Sequence, residues 1–179
     1  ELGEVYHNHL ARVDLAEQAY NEARLLIPDS SEALHALGQL YERSGNWFQA
    51  LEMLEHEAEL VAEPQLSAQL FERIGRINEE MLLNSSGAVE AYQKAIGKFP
   101  GSLAALEALK TMAHEDEDWG GYARYLEMIL DAVTEPDDRF ELLVEMAQHK
   151  EAIEHDDLKA IDLYEEAAEI DSSELECIL

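Results

Sequence analysis

One 13-residue segment occurs three times in this chain of 179 residues at a fixed interval. It reads AEQAYNEARLLIP from Ala16, AVEAYQKAIGKFP from Ala88 and AIDLYEEAAEIDS from Ala160, so the copies follow one another with a 72-residue period. Each copy carries alanine, tyrosine and a second alanine at spacings that put all three on one helix face. The repeat therefore predicts a stacked array of amphipathic helices.

Each 72-residue repeat divides into two helix pairs of unequal length. A 34-residue interval separates Ala16 from Ala50, and a 38-residue interval separates Ala50 from Ala88. Pro28 and Pro100 end two of the second helices, because proline disfavours helical geometry in the residue before it. The extra residues of the longer pairs lie either in the turn or in the helices beside it. The predicted helix pairs are 1–28, 31–62, 64–100, 102–134 and 136–171.

These helix pairs form a single array over residues 1–179. Partial repeats stand at both ends of it, whereas arrays of this kind normally close with polar caps. The chain is therefore expected to be a fragment of a longer protein.

Two residue types within the pairs carry structural predictions. Gly38 stands inside a helix, where glycine costs about 1 kcal/mol relative to alanine, so we expect a neighbouring helix to approach closely there. Trp47 and Trp119 follow equivalent turns, one repeat period apart. This identical placement favours packing between the two helices of a pair over a role as ligand anchors.

The chain is strongly acidic, with 40 Asp and Glu residues against 12 Lys and Arg and a formal net charge of −28. This charge makes nucleic acid and anionic membranes poor partners, since both attract basic side chains. It favours basic partners through electrostatic steering, although a well-solvated surface explains the same composition. No apolar run is long enough for a membrane span, so no membrane insertion is expected.

No catalytic, cofactor or metal site can be assembled from the sequence. His7 and His9 would point about 200° apart on a helix. The acidic segment 114–118 lacks the glycine and the closing glutamate of a calcium loop. The one cysteine, Cys177, excludes a disulfide within the chain. With no glycine-rich phosphate loop and no HExxH sequence, we expect a non-enzymatic protein without a cofactor.

The helix-pair pattern resembles the tetratricopeptide repeat (TPR), a helix–turn–helix unit of about 34 residues. The matching residues of a first helix are Leu34, Leu37, Gly38 and Tyr41, and those of second helices are Ala16, Tyr20, Ala23, Pro28, Ala88, Tyr92, Ala95 and Pro100. The chain departs from the pattern at Glu57 and Ala147, which replace an alanine and a glycine. The resemblance implies an all-α, right-handed helical-repeat solenoid of about five helix pairs.

The resemblance also implies a function, because TPR proteins hold a peptide or partner helix along a concave groove lined mainly by the first helices. The residues at the lining positions are His35, Gln39, Glu42, Glu72, Arg76, Glu79, Glu107, Thr111, His114, Gln148 and Glu151. This set lacks the Lys–Asn combination with which one subclass grips a terminal carboxylate. Its acids instead suit a basic or amphipathic protein segment.

The sequence thus predicts a protein–protein interaction scaffold and leaves two alternatives open. The array is alternatively the recruitment or regulatory arm of an enzyme whose catalytic domain lies outside this segment. In the second alternative, the chain forms a homo-oligomer by stacking its open terminal repeats on copies of itself.

Overall fold

A computed structural model describes residues 13–171, and within that range the chain forms nine α-helices, two π-helical turns and no strand. The predictions for His7, His9 and Cys177 lie outside the described residues. The π-helical turns are Ile77–Met81 and Lys150–Glu154. The helices are α1 (Val13–Leu26), α2 (Ser31–Ser44), α3 (Trp47–Leu60), α4 (Pro64–Arg76), α5 (Ser85–Lys98), α6 (Leu103–Glu115), α7 (Trp119–Ala132), α8 (Pro136–His149) and α9 (Asp157–Ile170).

The helices pack as consecutive pairs. The most extensive contacts join α2 to α3, α4 to α5, α6 to α7 and α8 to α9, and smaller contacts join one pair to the next within each compact unit. On α5 the repeated segment buries all three of its marker residues, Ala88, Tyr92 and Ala95. The other two copies bury less, because Ala23 on α1 is exposed and Tyr164 on α9 is only partly buried. This architecture confirms the predicted all-α helical-repeat solenoid.

The chain forms two compact units, which divide between Ser102 and Leu103. Unit 1 contains α1 to α5, and unit 2 contains α6 to α9. Both units bury an apolar core between their helices. The largest fully buried side chains are Leu34, Leu37, Met53, Leu54, Phe71 and Ile74 in unit 1, and Leu106, Leu109, Leu126, Ile129 and Leu143 in unit 2.

The repeat period of the sequence extends to the backbone conformation. The bounds of α1, α5 and α9 follow one another with the same 72-residue period, and so do those of α3 and α7. The turns repeat as well: Gly45 and Glu117 both adopt the left-handed conformation, with φ of 74° and 56°. Leu83 and His155 form a second such couple, with φ of 51° and 55°.

The additional residues of the 38-residue pairs lie at the end of the first helix. There α4 and α8 each continue into a π-helical turn before the chain reverses. The turn is closed in both units by equivalent backbone hydrogen bonds: the Asn84 amide donates to the Asn78 carbonyl at 2.8 Å, and the Asp156 amide donates to the Lys150 carbonyl at 3.0 Å.

A neighbouring helix requires glycine at Gly75 but not at Gly38. As expected, α3 packs against Gly38, yet a Cβ atom there would lie 3.7 Å from the Met53 Cβ, which is ordinary van der Waals contact and leaves room for an alanine. A Cβ atom at Gly75 would lie 2.5 Å from the ring of Tyr92. The glycine that the packing requires is therefore the one beneath the tyrosine of α5.

Candidate protein-binding surfaces

The predicted groove residues of α2 start with a hydrogen-bonded chain. The His35 Nδ1 atom lies 3.0 Å from a carboxylate oxygen of Glu57, and the Gln39 Nε2 atom lies 2.8 Å from the His35 Nε2 atom. Glu57 is only 7% exposed, and its second carboxylate oxygen is buried without a hydrogen-bond partner. The glutamate that replaces the alanine of the repeat pattern thus anchors His35 to α3.

One ion pair connects the first helices of successive pairs in unit 1. The Arg73 guanidinium on α4 donates to a carboxylate oxygen of Glu42 on α2 at 2.5 Å. Of the predicted groove residues, Glu42 takes part in this contact, whereas its partner Arg73 was not among those predicted for α4.

Two carboxylates, Glu72 on α4 and Glu79 in the π-helical turn, have partners within unit 1. Glu72 accepts a hydrogen bond from the Ser102 hydroxyl at 2.5 Å, and Glu79 accepts one from the Tyr92 hydroxyl at 2.8 Å. Burial, together with the bond to Glu79, raises the pKa of Tyr92 above its ordinary value. Arg76 is exposed between the two glutamates.

The predicted groove residues of unit 2 make mostly local contacts. Glu107 lies 3.0 Å from the Lys110 ammonium, and the Thr111 hydroxyl donates to the Glu107 carbonyl at 2.9 Å. Glu151, in the π-helical turn, accepts a hydrogen bond of 3.4 Å from the Tyr164 hydroxyl. Gln148 is exposed on α8.

His114, the remaining predicted residue, belongs to an aromatic cluster that joins three helices. Its ring centroid lies 5.4 Å from that of Trp119 and 5.6 Å from that of Tyr122, and the buried His149 on α8 lies 4.9 Å from Tyr122. Trp119 therefore packs between helices, as its repeat position predicted. Burial lowers the pKa of His149, which favours its neutral form.

An open groove of about 320 Å³ lies in unit 2 between α6, the end of α7 and α8, and we name it the first-helix groove. Its apolar wall includes Ile129 and Leu142. Of the predicted residues, only Glu107 lines it. The charged residues around it are Glu107, Lys110, Asp138, Glu141 and Glu145.

Lys110 offsets two of these carboxylates, since it lies 3.0 Å from Glu107 and 3.3 Å from Glu145. Asp138 and Glu141 are exposed and form no ion pair within residues 13–171. The sequence did not predict either residue. Both stand at the start of α8, whereas the residues predicted from repeat positions, Gln148 and Glu151, lie at the end of α8 and in the turn that follows it.

A second open groove of about 340 Å³ lies in unit 1 between α3, α4 and α5, and we name it the second-helix groove. None of the predicted residues lines it. The most exposed aromatic side chain on its wall is Phe48, which is 77% exposed. The sequence did contain one indication of this surface: Phe48 follows Trp47, so two aromatic side chains stand next to each other at the start of α3.

The part of the chain that the structure describes holds neither a metal-binding cluster nor a membrane span. Residues 13–171 contain no group of three or more His, Cys, Asp or Glu side chains placed to hold a metal ion. No helix in the same range is long and apolar enough to cross a membrane.

Comparisons with known proteins place this architecture in a structural class. No protein-family model and no curated protein matches the sequence. The chain is similar to a crystal structure of MamA, with 19% sequence identity, a TM-score of 0.56 and 98% of both chains covered. It is also similar to YrrB, described as a TPR protein with an unusual peptide-binding site, at 14% identity and a TM-score of 0.54 over 95% of this chain and 83% of that one.

A third similar structure, BtubC from P. vanneervenii, is 18% identical with a TM-score of 0.50, over 96% of this chain and 82% of that one. Identities this low establish the fold. The chain therefore has the TPR fold, in agreement with the resemblance found in the sequence.

Proposed function

We propose that this chain is a protein-interaction scaffold that binds a basic, amphipathic segment of another protein along its first helices. The observation that carries the proposal is the first-helix groove of unit 2, where an apolar wall is bordered by four carboxylates and a single ammonium group. Apolar surface rimmed by one sign of charge suits a segment with an apolar stripe and basic flanks.

The two unpaired acids of α8 decide the chemistry of the partner. Asp138 and Glu141 are both exposed, and they lie one helical turn apart. Lysine or arginine side chains of a partner can reach them without breaking an existing ion pair. The formal charge of −28 adds a long-range attraction that speeds the encounter with a basic partner.

The predicted residues of unit 1 contribute to the proposed binding surface in two ways: some hold the helices in place, and others face the partner. Glu42, Glu72 and Glu79 hold α2, α4 and α5 in place through their hydrogen bonds. Gln39 is the side chain best placed for a partner, because His35 is its one side-chain partner within residues 13–171. Arg76 is exposed, but it repels basic side chains and can donate only to carbonyl or carboxylate oxygens of the segment. The peptide-binding site stated for YrrB is a precedent for such a role in this fold.

The test measures binding of a fluorescent basic amphipathic helix by anisotropy. The peptide has about 14 residues, or four turns, of lysine and leucine, and a glutamate–leucine peptide of the same pattern is the comparison. Glu107→Lys combined with Glu141→Lys is expected to weaken binding of the basic peptide by roughly tenfold, since two attractive contacts become repulsive.

The matched control is Glu127→Lys combined with Asp131→Lys, which makes the same charge change on exposed positions of α7 away from the groove. The control pair is expected to weaken binding by less than about threefold, through the lower net charge alone. Equal weakening by both double variants would show that only net charge acts, and the proposed groove would have to be abandoned.

A further inference from the structure

We propose that the second-helix groove of unit 1 is a separate docking site for an amphipathic helix of a partner protein that presents one large apolar residue. This site lies between the second helices α3 and α5, whereas the proposed function concerns the first helices. Its volume of about 340 Å³ falls within the range of pockets that hold ligands, roughly 300–1,000 Å³.

The exposed ring of Phe48 supplies most of the binding energy, because the apolar floor beneath it is already almost fully buried. The buried side chains of Phe71, Ile74 and Ala91 form the floor, and Leu51 is partly buried beside them. Phe48 stands on the wall with 77% of its surface in water. An exposed aromatic residue next to an apolar recess is the arrangement in which truncation of one side chain removes much of the binding energy.

The charges on the two sides of the groove are largely neutralised within unit 1. Among the residues that line the groove, the ammonium group of Lys94 lies 2.9 Å from Glu90, and Glu52 lies 3.4 Å from the Arg24 guanidinium on α1. Just outside the groove, the ammonium group of Lys98 lies 2.9 Å from Glu59. Both ammonium groups also lie over the ring of Phe71, at 5.7 and 5.8 Å from its centroid. Because these charges already have partners, attraction at this site comes mainly from apolar contact and depends little on salt.

One carboxylate remains to select the partner. Glu55 is exposed, lines the groove and forms no ion pair with any residue between 13 and 171. It stands two helical turns after Phe48 on α3, a separation of about 10 Å. The complementary partner therefore carries a lysine or arginine about two turns from its apolar anchor residue.

Hydrogen bonds between two asparagine side chains and the backbone link α4, its π-helical turn and the start of α5 at one end of the groove. The buried Asn78 side chain donates to the Ile74 carbonyl at 3.0 Å, and its Oδ1 atom accepts a hydrogen bond of 3.0 Å from the side-chain Nδ2 of Asn84. A side chain at Gly87 would overlap both asparagines. The site is thus formed before a partner arrives, which lowers the entropy cost of binding. The net charge of −28 opposes a second copy of this chain as the occupant.

The experiment uses a labelled alanine–glutamine helix with one phenylalanine and one lysine two turns apart, and the same peptide with alanine in place of phenylalanine. Phe48→Ala is expected to weaken binding of the first peptide by roughly tenfold. Leu25→Ala, at a residue that is 83% exposed on α1, is the matched control and is expected to change nothing. Raising the salt concentration is expected to change the affinity less than about threefold, because most charges near the groove are paired.

Three results would overturn this inference. They are equal binding of the two peptides, unchanged binding by Phe48→Ala, and a concentration-dependent dimer that Phe48→Ala dissociates, since the last makes a second copy the occupant. The Glu107→Lys, Glu141→Lys variant is expected to bind the phenylalanine peptide normally. Failure of the first-helix groove and failure of the second-helix groove are thereby distinguishable.

Discussion

The helix hairpin from Pro64 to Lys98 in unit 1 and the hairpin from Pro136 to Ile170 in unit 2 occupy equivalent places in the repeat but pack their central tyrosines differently. In unit 1, Tyr92 is 5% exposed and its hydroxyl lies 2.8 Å from Glu79. In unit 2, Tyr164 is less buried and its hydroxyl lies 3.4 Å from Glu151.

The residue beneath the tyrosine explains this difference. Gly75 lies under Tyr92, and a Cβ atom there would come within 2.5 Å of the ring. The equivalent residue of unit 2 is Ala147, which adds a methyl group at this position. We infer that this methyl group limits how deeply the tyrosine is buried and how closely its hydroxyl approaches the π-helical turn.

The π-helical turns themselves do not depend on such side chains. Asn78 and Asn84 bond to each other in unit 1, whereas the equivalent residues of unit 2 are Lys150 and Asp156. Both turns nevertheless close through the same backbone hydrogen bond. The comparison shows that chain length sets the geometry of this turn, and that the side chains set how firmly the hairpin packs above it.

The largest effect is expected from Gly75→Ala, which gives unit 1 the residue of unit 2. Crowding against the Tyr92 ring costs about 1–3 kcal/mol, and the better helix propensity of alanine returns up to about 1 kcal/mol. We therefore expect a net loss of about 1–2 kcal/mol in the free energy of unfolding. Urea denaturation followed by circular dichroism measures it.

Gly38→Ala is the matched control for this prediction. A Cβ atom at Gly38 has ordinary contact distances, so the propensity gain of about 0.5–1 kcal/mol is expected without a steric cost. The two glycine-to-alanine changes are thus expected to have opposite signs. A stabilising Gly75→Ala would show that the tyrosine shifts freely and that the methyl group does not explain the difference between the hairpins.

A smaller effect is expected from removing the tyrosine hydroxyls. Tyr92→Phe breaks a short hydrogen bond between a buried hydroxyl and a carboxylate, and is expected to cost about 1 kcal/mol of unfolding free energy. Tyr164→Phe breaks a long and exposed bond, and is expected to cost about 0.3 kcal/mol or less. Equal losses in the two variants, measured by the same urea denaturation, would remove the proposed distinction between the hydroxyls.

Much of the fold could be predicted from the sequence, because the repeated residues indicate which segments are helical and where each helix pair begins. The alanine–tyrosine–alanine segments mark the second helices, and the alternation of 34-residue and 38-residue intervals marks the pairs. The π-helical turns could not be predicted, since a longer pair is compatible with a longer turn or a longer helix. The contact at Gly75 required the position of a ring on another helix, which no spacing within one helix reveals.

The candidate surfaces are less predictable than the fold. Repeat positions predicted Glu107 as a groove residue, and Glu107 does line the first-helix groove of unit 2, where binding of a partner stays a prediction. Repeat positions did not predict Glu141. A repeat position describes a place within one helix, whereas this groove forms where three helices leave space between them. Phe48 was missed for a related reason: exposure of an aromatic residue depends on whether the neighbouring pair covers it.

An effect somewhat below that of Tyr92→Phe is expected in the turns that precede α3 and α7, where the two units again differ by one residue. Gly45 adopts φ of 74° in unit 1, and Glu117 adopts φ of 56° in unit 2. The left-handed conformation costs a residue with a side chain about 1–2 kcal/mol, but glycine loses more backbone entropy on folding. Glu117→Gly is therefore expected to raise the unfolding free energy by about 0.5–1 kcal/mol.

The reciprocal change, Gly45→Glu, tests whether the two turns are energetically equivalent. It places in unit 1 the residue that unit 2 tolerates, and is expected to lower the unfolding free energy by a similar amount of about 0.5–1 kcal/mol. Open space surrounds Gly45, so no steric clash adds to this cost. Thermal unfolding of both variants and of the double exchange measures the effects. Because the turns lie in different units, the two effects should cancel in the double variant, and a residual loss would mean that Glu117 has a stabilising contact in its own turn.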